Sequence, residues 1–209
     1  MGVEVIPHRN VFEHMFEQLQ GTPPTRQSVK THRSPMGYVR PMSAEEFTGR
    51  SEHPSITHFR TTLEALGGIG EIVVLADSVH TAALAAQALG CEVGAIANSL
   101  VFAAPGSEHD EPVLILTSGA HRVDVERTAA RIGVAELRRA KPDFVKQHTG
   151  QPIGGVSPIA HPDPLRTYLD RSLAQYPVLW AAAGHPAAVF STTYDELRAL
   201  TGAIEIEVS

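Results

Sequence analysis

EIVVLADSVHTAALAAQALGCEVGAIANSLVF, residues 71–102, decides the fold class of this chain. Glu71 to Ala76 is an apolar run of strand length. Ser78 can cap the helix that follows, in which Val79, Ala82, Ala86 and Leu89 recur on one side and Gly90 supplies the stop. A second apolar run, Val93 to Phe102, then predicts another strand. Strand, helix and strand in 32 residues require a sheet with helices packed on it.

Working outward, Ile56, Phe59, Leu63 and Leu66 predict a helix that ends at Gly67-Gly68. Pro112 to Thr117 is a further strand, His121 to Ile132 a helix stopped by Gly133, and Pro142 opens a short helix closed by Gly150. Thr167–Leu169, Val178–Ala183 and Ala187–Ser191 are short strands. Thr193 with Glu196 forms a capping box for a last helix to Leu200. Ile204, Ile206 and Val208 then alternate with Glu205 and Glu207 as a final strand. The expected class is mixed α/β (α+β). The strand-to-strand links of the C-terminal half are too short for parallel crossovers, so a largely antiparallel sheet is expected.

Residues 1–50 read differently and are expected to form an N-terminal extension: a short helix with Phe12, Phe16 and Leu19 on one face, then a flexible linker containing Pro23, Pro24, Pro35 and Pro41. Residues 51–209 form the compact domain. No apolar run approaches the ~20 residues of a membrane-spanning helix, and Met1 to Asn10 lack a secretion signal, so a cytoplasmic protein with no membrane partner is expected. The single cysteine, Cys91, excludes an internal disulfide and reads as a small hydrophobe.

Lys and Arg number 17 against 23 Asp and Glu, a net charge of −6, which argues against a protein that tracks long duplexes. A local excess lies between Ala120 and Gly150, where Arg122, Arg127, Arg131, Arg138, Arg139, Lys141 and Lys146 face four carboxylates. It reads either as a solvated helix face or as a landing patch for RNA phosphates. The eleven histidines include no HxxxH or HExxH pattern, so neither a metal nor any other cofactor is expected. Gly155-Val156-Ser157-Pro158-Ile159 fails the nucleophile elbow at its last position, and no phosphate-binding glycine motif is present.

One run remains, TGQPIGGVSPIAH, residues 149–161. Adjacent glycines let a backbone come close to a ligand, and Pro152 and Pro158 stiffen the ends. Such a loop can hold an oxyanion on main-chain N–H groups; it can equally be a tight surface turn.

This run resembles the TG-x-x-x-GG-x-x-P loop of the YbaK/EbsC family of aminoacyl-tRNA deacylases, which includes the editing insertion of bacterial prolyl-tRNA synthetase. HTAALAAQALGCEVGAIANSLVF, PVLILTSGAHRVD, TYLDRSL, VLWAAAG, AAVFS and DELRALTG follow the same family's order, over about three quarters of the chain. The resemblance implies a YbaK-like fold, a mixed sheet or partial barrel surrounded by helices. It implies trans-editing: hydrolysis of the ester of a small amino acid such as Ala or Cys mischarged on tRNA(Pro). The implied partners are the aminoacyl-tRNA 3′ end and prolyl-tRNA synthetase. Gly154, Gly155, Val156, Ser157 and Pro158 take the catalytic loop, while Asn98, Ser99, Asp170 and His161 take substrate contacts. Asp170 has a second reading as a strand-end cap. A cavity with room for two or three heavy atoms would point to alanine or cysteine. The family's strand usually carries lysine where this chain has Asn98. That departure motivates an alternative, a non-catalytic tRNA- or aminoacyl-binding protein on the same scaffold.

Overall fold

The computed structural model describes residues 52–75 and 81–209, and the readings made on residues 1–50 and on Ser78 and Val79 lie outside them. Helix α1 (Pro54–Ala65) starts with Pro54 at a position where its missing N–H costs nothing, and the His53 ring accepts from the Ser55 N–H. Its buried stripe, Ile56, Phe59 and Leu63, holds three of the four positions the periodicity marks; the fourth, Leu66, is the C-cap and is 52 % exposed. Strand β1 (Ile72–Val74) follows, then α2 (Ala82–Leu89). The cap of α2 is Thr81, whose hydroxyl accepts from the Leu84 N–H, and Gly90 ends it at φ 66°.

Val93–Ala95 forms a single 3-10 turn, and the strand expected from Val93 begins at Ile96 instead: β2 is Ile96–Pro105. It makes a long hairpin with β3 (Asp110–Ser118), in register from Ala97↔Ser118 to Pro105↔Asp110. Helix α3 is Val125–Ile132, four residues shorter at its start than the spacing predicts. Asp124 is its cap, accepting from the Arg127 N–H, and the His121 ring is held instead by Asp170. The chain continues through β4 (Arg138–Arg139), α4 (Pro142–Thr149), β5 (Arg166–Asp170), a 3-10 turn at Arg171–Gln175, β6 (Leu179–Ala182), β7 (Ala188–Thr192), α5 (Tyr194–Thr201) and β8 (Ile204–Ile206). Thr193 caps α5 as expected. The reciprocal half of the expected capping box is not made: the Glu196 carboxylate instead accepts from Thr192 Oγ1 and from the Ile69 N–H, tying the segment after α1 to α5.

The eight strands form one open sheet in the order β1-β7-β6-β2-β3-β5-β8, with β4 on β2. It is mixed and mostly antiparallel. This is the largely antiparallel mixed sheet expected, although three parallel pairings, β2–β6, β3–β5 and β5–β8, involve strands of the C-terminal half. Short links forbid a parallel pairing only where consecutive strands pair with each other. Here β5 and β6 join the sheet at separate places, and β8 returns to β5 after β6, β7 and α5 have intervened.

The sheet centre is buried on both faces. Leu114 and Leu116 of β3 pack with Leu169, Phe59 and Phe190, while Val113 and Ile115 pack oppositely with Tyr168, Ala129 and Ile132 of α3. Among the described residues no helix is long and apolar enough to cross a membrane.

One edge of β2 is only partly paired. β6 takes Ile96 and Ala97, β4 takes Phe102 and Ala103 with the Ala140 N–H donating to the Val101 carbonyl, and no described strand pairs with residues 98–100 on that side. The strand therefore presents a short open edge in mid-sheet, and the site is built against it.

Phe190 is 0 % exposed and its ring lies 4.8 Å from that of Phe59. Phe190→Ala is expected to cost about 3–5 kcal/mol by urea denaturation. Ile69→Ala, at a position 91 % exposed, should stay within about 0.5 kcal/mol. Equal losses from the two variants would show that the core is elsewhere.

Candidate functional site

The 149–161 run begins where α4 ends, with Gly150 at φ 70° and the Lys146 ammonium donating to the Gly150 carbonyl. The Gly155 N–H then donates to the Pro152 carbonyl at 3.0 Å, closing a four-residue turn whose third residue, Gly154, sits at φ 88°. A type II turn demands that left-handed conformation at its third position, which is why glycine is needed there. Gly155 is glycine for another reason. A Cβ on it would lie 2.9 Å from Pro186 N and 3.0 Å from His185 C, so the turn between β6 and β7 fills the space. The pair is thus divided: one glycine makes the turn and the other lets two loops touch.

Gln151 fixes the rest of the loop. Its Oε1 accepts from the Ser157 N–H at 2.7 Å, and its Nε2 donates to Ser157 Oγ at 2.9 Å and to the Ala160 carbonyl at 3.3 Å. Ser157 Oγ donates to the Ile159 carbonyl. The His161 ring donates to the Ser157 carbonyl at 2.8 Å, and burial holds its pKa below the ordinary value.

Against the open edge of β2, this turn encloses a cavity of about 320 Å³. Asn98, Ser99 and Leu100 line it from β2, Ile153, Gly154 and Val156 from the turn, and Pro186 from the facing loop. Trp180 of β6, the first residues of α2 and Arg139 of β4 complete the wall. No described lining residue is an acid, a histidine or a cysteine. Cys91 lies elsewhere, and its thiol is pushed up by burial, away from nucleophilic use.

Two features of the wall have unmet hydrogen-bonding capacity. The amides of Gly155 and Ser157 are engaged inside the loop, whereas those of Gly154 and Val156 donate to no described residue. Ser99 Oγ is buried and likewise has no described partner. Buried polar groups in folded proteins are nearly always paired, so an orphan on a cavity wall marks a place where a ligand atom can complete the bond.

The site residues named from sequence therefore separate. Asn98, Ser99, Gly154 and Val156 come together around one cavity. Gly155, Ser157, Pro158 and His161 are not on its described wall; they set the position of those that are. Asp170 lies outside the wall as well. It is 2 % exposed, its Oδ2 accepts from the Thr117 hydroxyl, the Ser118 N–H and the His121 ring, and its Oδ1 accepts from the Ser172 N–H. This is the cap reading, with every oxygen engaged inside the protein. Gln151, Arg139 and Trp180 are the residues that sequence reasoning left without a role in the site. Gln151 stands inside the quoted run, but nothing in a one-dimensional pattern shows an amide folding back six residues. Among the described residues no group of three His, Cys, Asp or Glu side chains is placed to hold a metal.

The model of the aminoacyl-tRNA editing domain matches residues 76–200, well over half of the chain. The chain belongs to that family. An editing-domain structure designated a candidate trans-editing enzyme for prolyl tRNA synthetase is 42 % identical, with a TM-score of 0.69, covering 76 % of this chain and 99 % of that one. The Bacillus subtilis protein YwhH is 30 % identical over 145 residues, 68 % of this chain and 88 % of its own length. The proline–tRNA ligase of Limosilactobacillus fermentum is 30 % identical over 95 residues, which span 45 % of this chain and only 17 % of that enzyme. The YbaK-like fold and membership of an editing family are thereby shown.

Two partly buried histidines give this editing domain an acid-side weakness. Desolvation lowers the pKa of His161, and desolvation with the neighbouring His53 lowers that of His185. The unfolded chain therefore takes up protons first as pH falls below about 6.5, and stability drops over that range. His161→Gln keeps a donor for the Ser157 carbonyl but cannot titrate. Its melting temperature is expected to fall less than that of the parent between pH 7.5 and 5. An unchanged slope would remove His161 from this account.

Proposed function

We propose that this chain is a cytoplasmic trans-editing deacylase that hydrolyses the ester between a small amino acid, such as Ala or Cys, and the 3′ end of tRNA(Pro). Prolyl-tRNA synthetase is the candidate partner whose errors it clears. The observation that carries the proposal is the juxtaposition of Ser99 Oγ with the Gly154 and Val156 amides around one cavity, all without described partners. An ester carbonyl entering there would meet donors already in position. Fixed dipoles aimed at a developing oxyanion lower a barrier without needing a reactive side chain. The described wall carries no general base, which supports a reaction where water is guided by groups of the substrate and the protein supplies position.

The cavity volume, about 320 Å³, is about ten times the ~30 Å³ share of one water molecule. It therefore exceeds an alanyl or cysteinyl side chain and can admit the terminal ribose with the amino acid. Total volume does not choose the amino acid. Selection falls to the inner part of the wall, where one methylene in an apolar pocket is worth roughly 10–200-fold.

Labelled alanyl- and cysteinyl-tRNA(Pro) incubated with the pure chain should release free amino acid. Ser99→Ala is expected to lower kcat/KM about tenfold, as loss of one hydrogen bond of about 1.4 kcal/mol would. Retention of every small amino-acid ester by the parent would end the catalytic reading. Gly155 is a poor probe of this chemistry, because any Cβ there meets main-chain atoms of the facing loop and moves it.

Asn98 keeps a second reading in view, a binding protein that holds an aminoacyl or tRNA end without turnover, since the strand brings a neutral amide to the wall. Asn98→Lys separates the two: a parent without turnover whose lysine variant hydrolyses the ester supports the binding reading, and a parent that turns over excludes it.

A further inference from the structure

Of the seven cations between Ala120 and Gly150, Arg122, Arg127, Arg139 and Lys141 make no ion pair or side-chain hydrogen bond with a described residue, and three are engaged. Arg131 pairs with Glu207 at 3.1 Å, Arg138 pairs with Asp110 at 2.6 Å and Glu136 at 2.7 Å, and Lys146 caps the Gly150 carbonyl. These are structural charges. Arg139 is next to Arg138 on β4, and strand alternation turns successive side chains to opposite faces. It is exposed, and makes no ion pair or side-chain hydrogen bond with any described residue. It is also the only charged group on the described cavity wall. The open edge of β2 adds none, since Asn98, Ser99 and Leu100 are neutral.

The position of Arg139 follows from register. It pairs with Phe102, three residues along β2 from Ser99. At about 3.3 Å per residue along β2 and about 4.8 Å across to β4, its strand position is about 11 Å from that of Ser99; the two side chains leave opposite faces of the sheet, and both residues border the cavity at the open edge. An ester carbonyl held at Ser99 and the 153–156 turn would put the attached ribose in the cavity and the next backbone phosphate toward its rim. A guanidinium is suited to that group, because its planar fork can donate two parallel bonds to phosphate oxygens.

Resting on the deacylase reading for the direction of the substrate, we propose that Arg139 binds the phosphodiester on the 5′ side of the terminal nucleotide. This single contact sets how the RNA end enters. It needs no broad positive field, and it explains how a chain of net charge −6 can accept an RNA terminus.

The chain has one tryptophan, Trp180, and it lines the same cavity, so its fluorescence reports occupancy directly. The full chain is titrated with the trinucleotide CCA and with adenosine, which has no phosphate. The parent should prefer CCA. Arg139→Gln is expected to cut that preference about tenfold and to reduce the slope of log affinity against log salt by about 0.7–1, while Arg139→Lys keeps part of both. On aminoacylated tRNA the Arg139→Gln change should appear in KM more than in kcat. A preference and salt slope unchanged in Arg139→Gln would overturn the proposal, whether or not the chain hydrolyses esters. So would an absence of any fluorescence response to CCA. An Arg139-dependent preference in a chain that hydrolyses no ester would keep the phosphate site and overturn the deacylase reading alone.

Discussion

A strand in the middle of a sheet normally has both edges hydrogen-bonded, and the organisation of this protein follows from the one place where that condition is relaxed. β2 pairs fully with β3 along one side, but on the other it is shared between β6 at one end and β4 at the other. The open stretch between them cannot be left to solvent or to apolar packing alone, because main-chain groups need partners. The fold roofs it with the α2 terminus, the 153–156 turn and the Pro186 loop, and in doing so creates a chamber. The cavity and the presence of Arg139 on its wall are both consequences of how β4 and β6 divide that edge.

The roof holds its shape through bonds among side chains that never reach the cavity. Gln151 grips Ser157 by two hydrogen bonds, His161 grips the Ser157 carbonyl, and Gly155 lets the turn rest directly on the His185–Pro186 backbone. The 2.9 Å approach at Gly155 also explains why an apparently ligand-directed glycine is a packing residue. Its neighbour Gly154 meets the φ demand of the turn and lies on the cavity wall. Two identical residues side by side thus answer to different physical requirements.

Much of the fold was legible because local signals agreed with the global outcome. The stripes at Ile56, Phe59 and Leu63, the stop glycines at 90, 133, 150 and 202, and the cap at Thr193 all act as their chemistry predicts. What was not legible depended on partners distant in sequence. The first turn expected of α3 is absent where His121 is drawn to Asp170, 49 residues away. The parallel pairings of β5, β6 and β8 depend on which strand each one meets, and link length alone does not encode that. At the site, the run of residues 149–161 and the 98–99 segment could be named because the series of motifs carried them. Their division into wall and support could not, since it turns on which amide each neighbour engages. Asp170 shows the same limit: a carboxylate at a strand end reads equally well as a ligand or a cap until its four donors are seen.

That division also bears on what kind of chemistry the chamber can support. Ser157 carries a hydroxyl in the middle of the loop, yet its proton goes to the Ile159 carbonyl and its lone pairs face the Gln151 amide, so it has no base to activate it. Ser99 lines the chamber with its hydroxyl buried and has no histidine beside it on the described wall. Neither meets the minimum for a nucleophile, which is a base within hydrogen-bond reach. What the chamber does offer is donors fixed before any ligand arrives, so no reorganisation is needed as charge develops. Such a site gains its selectivity from fit, and fit is set by the supports behind the wall. On the deacylase reading, substitutions at Gln151 or Gly155 should therefore alter selectivity and rate together, even though neither residue lies on the described cavity wall.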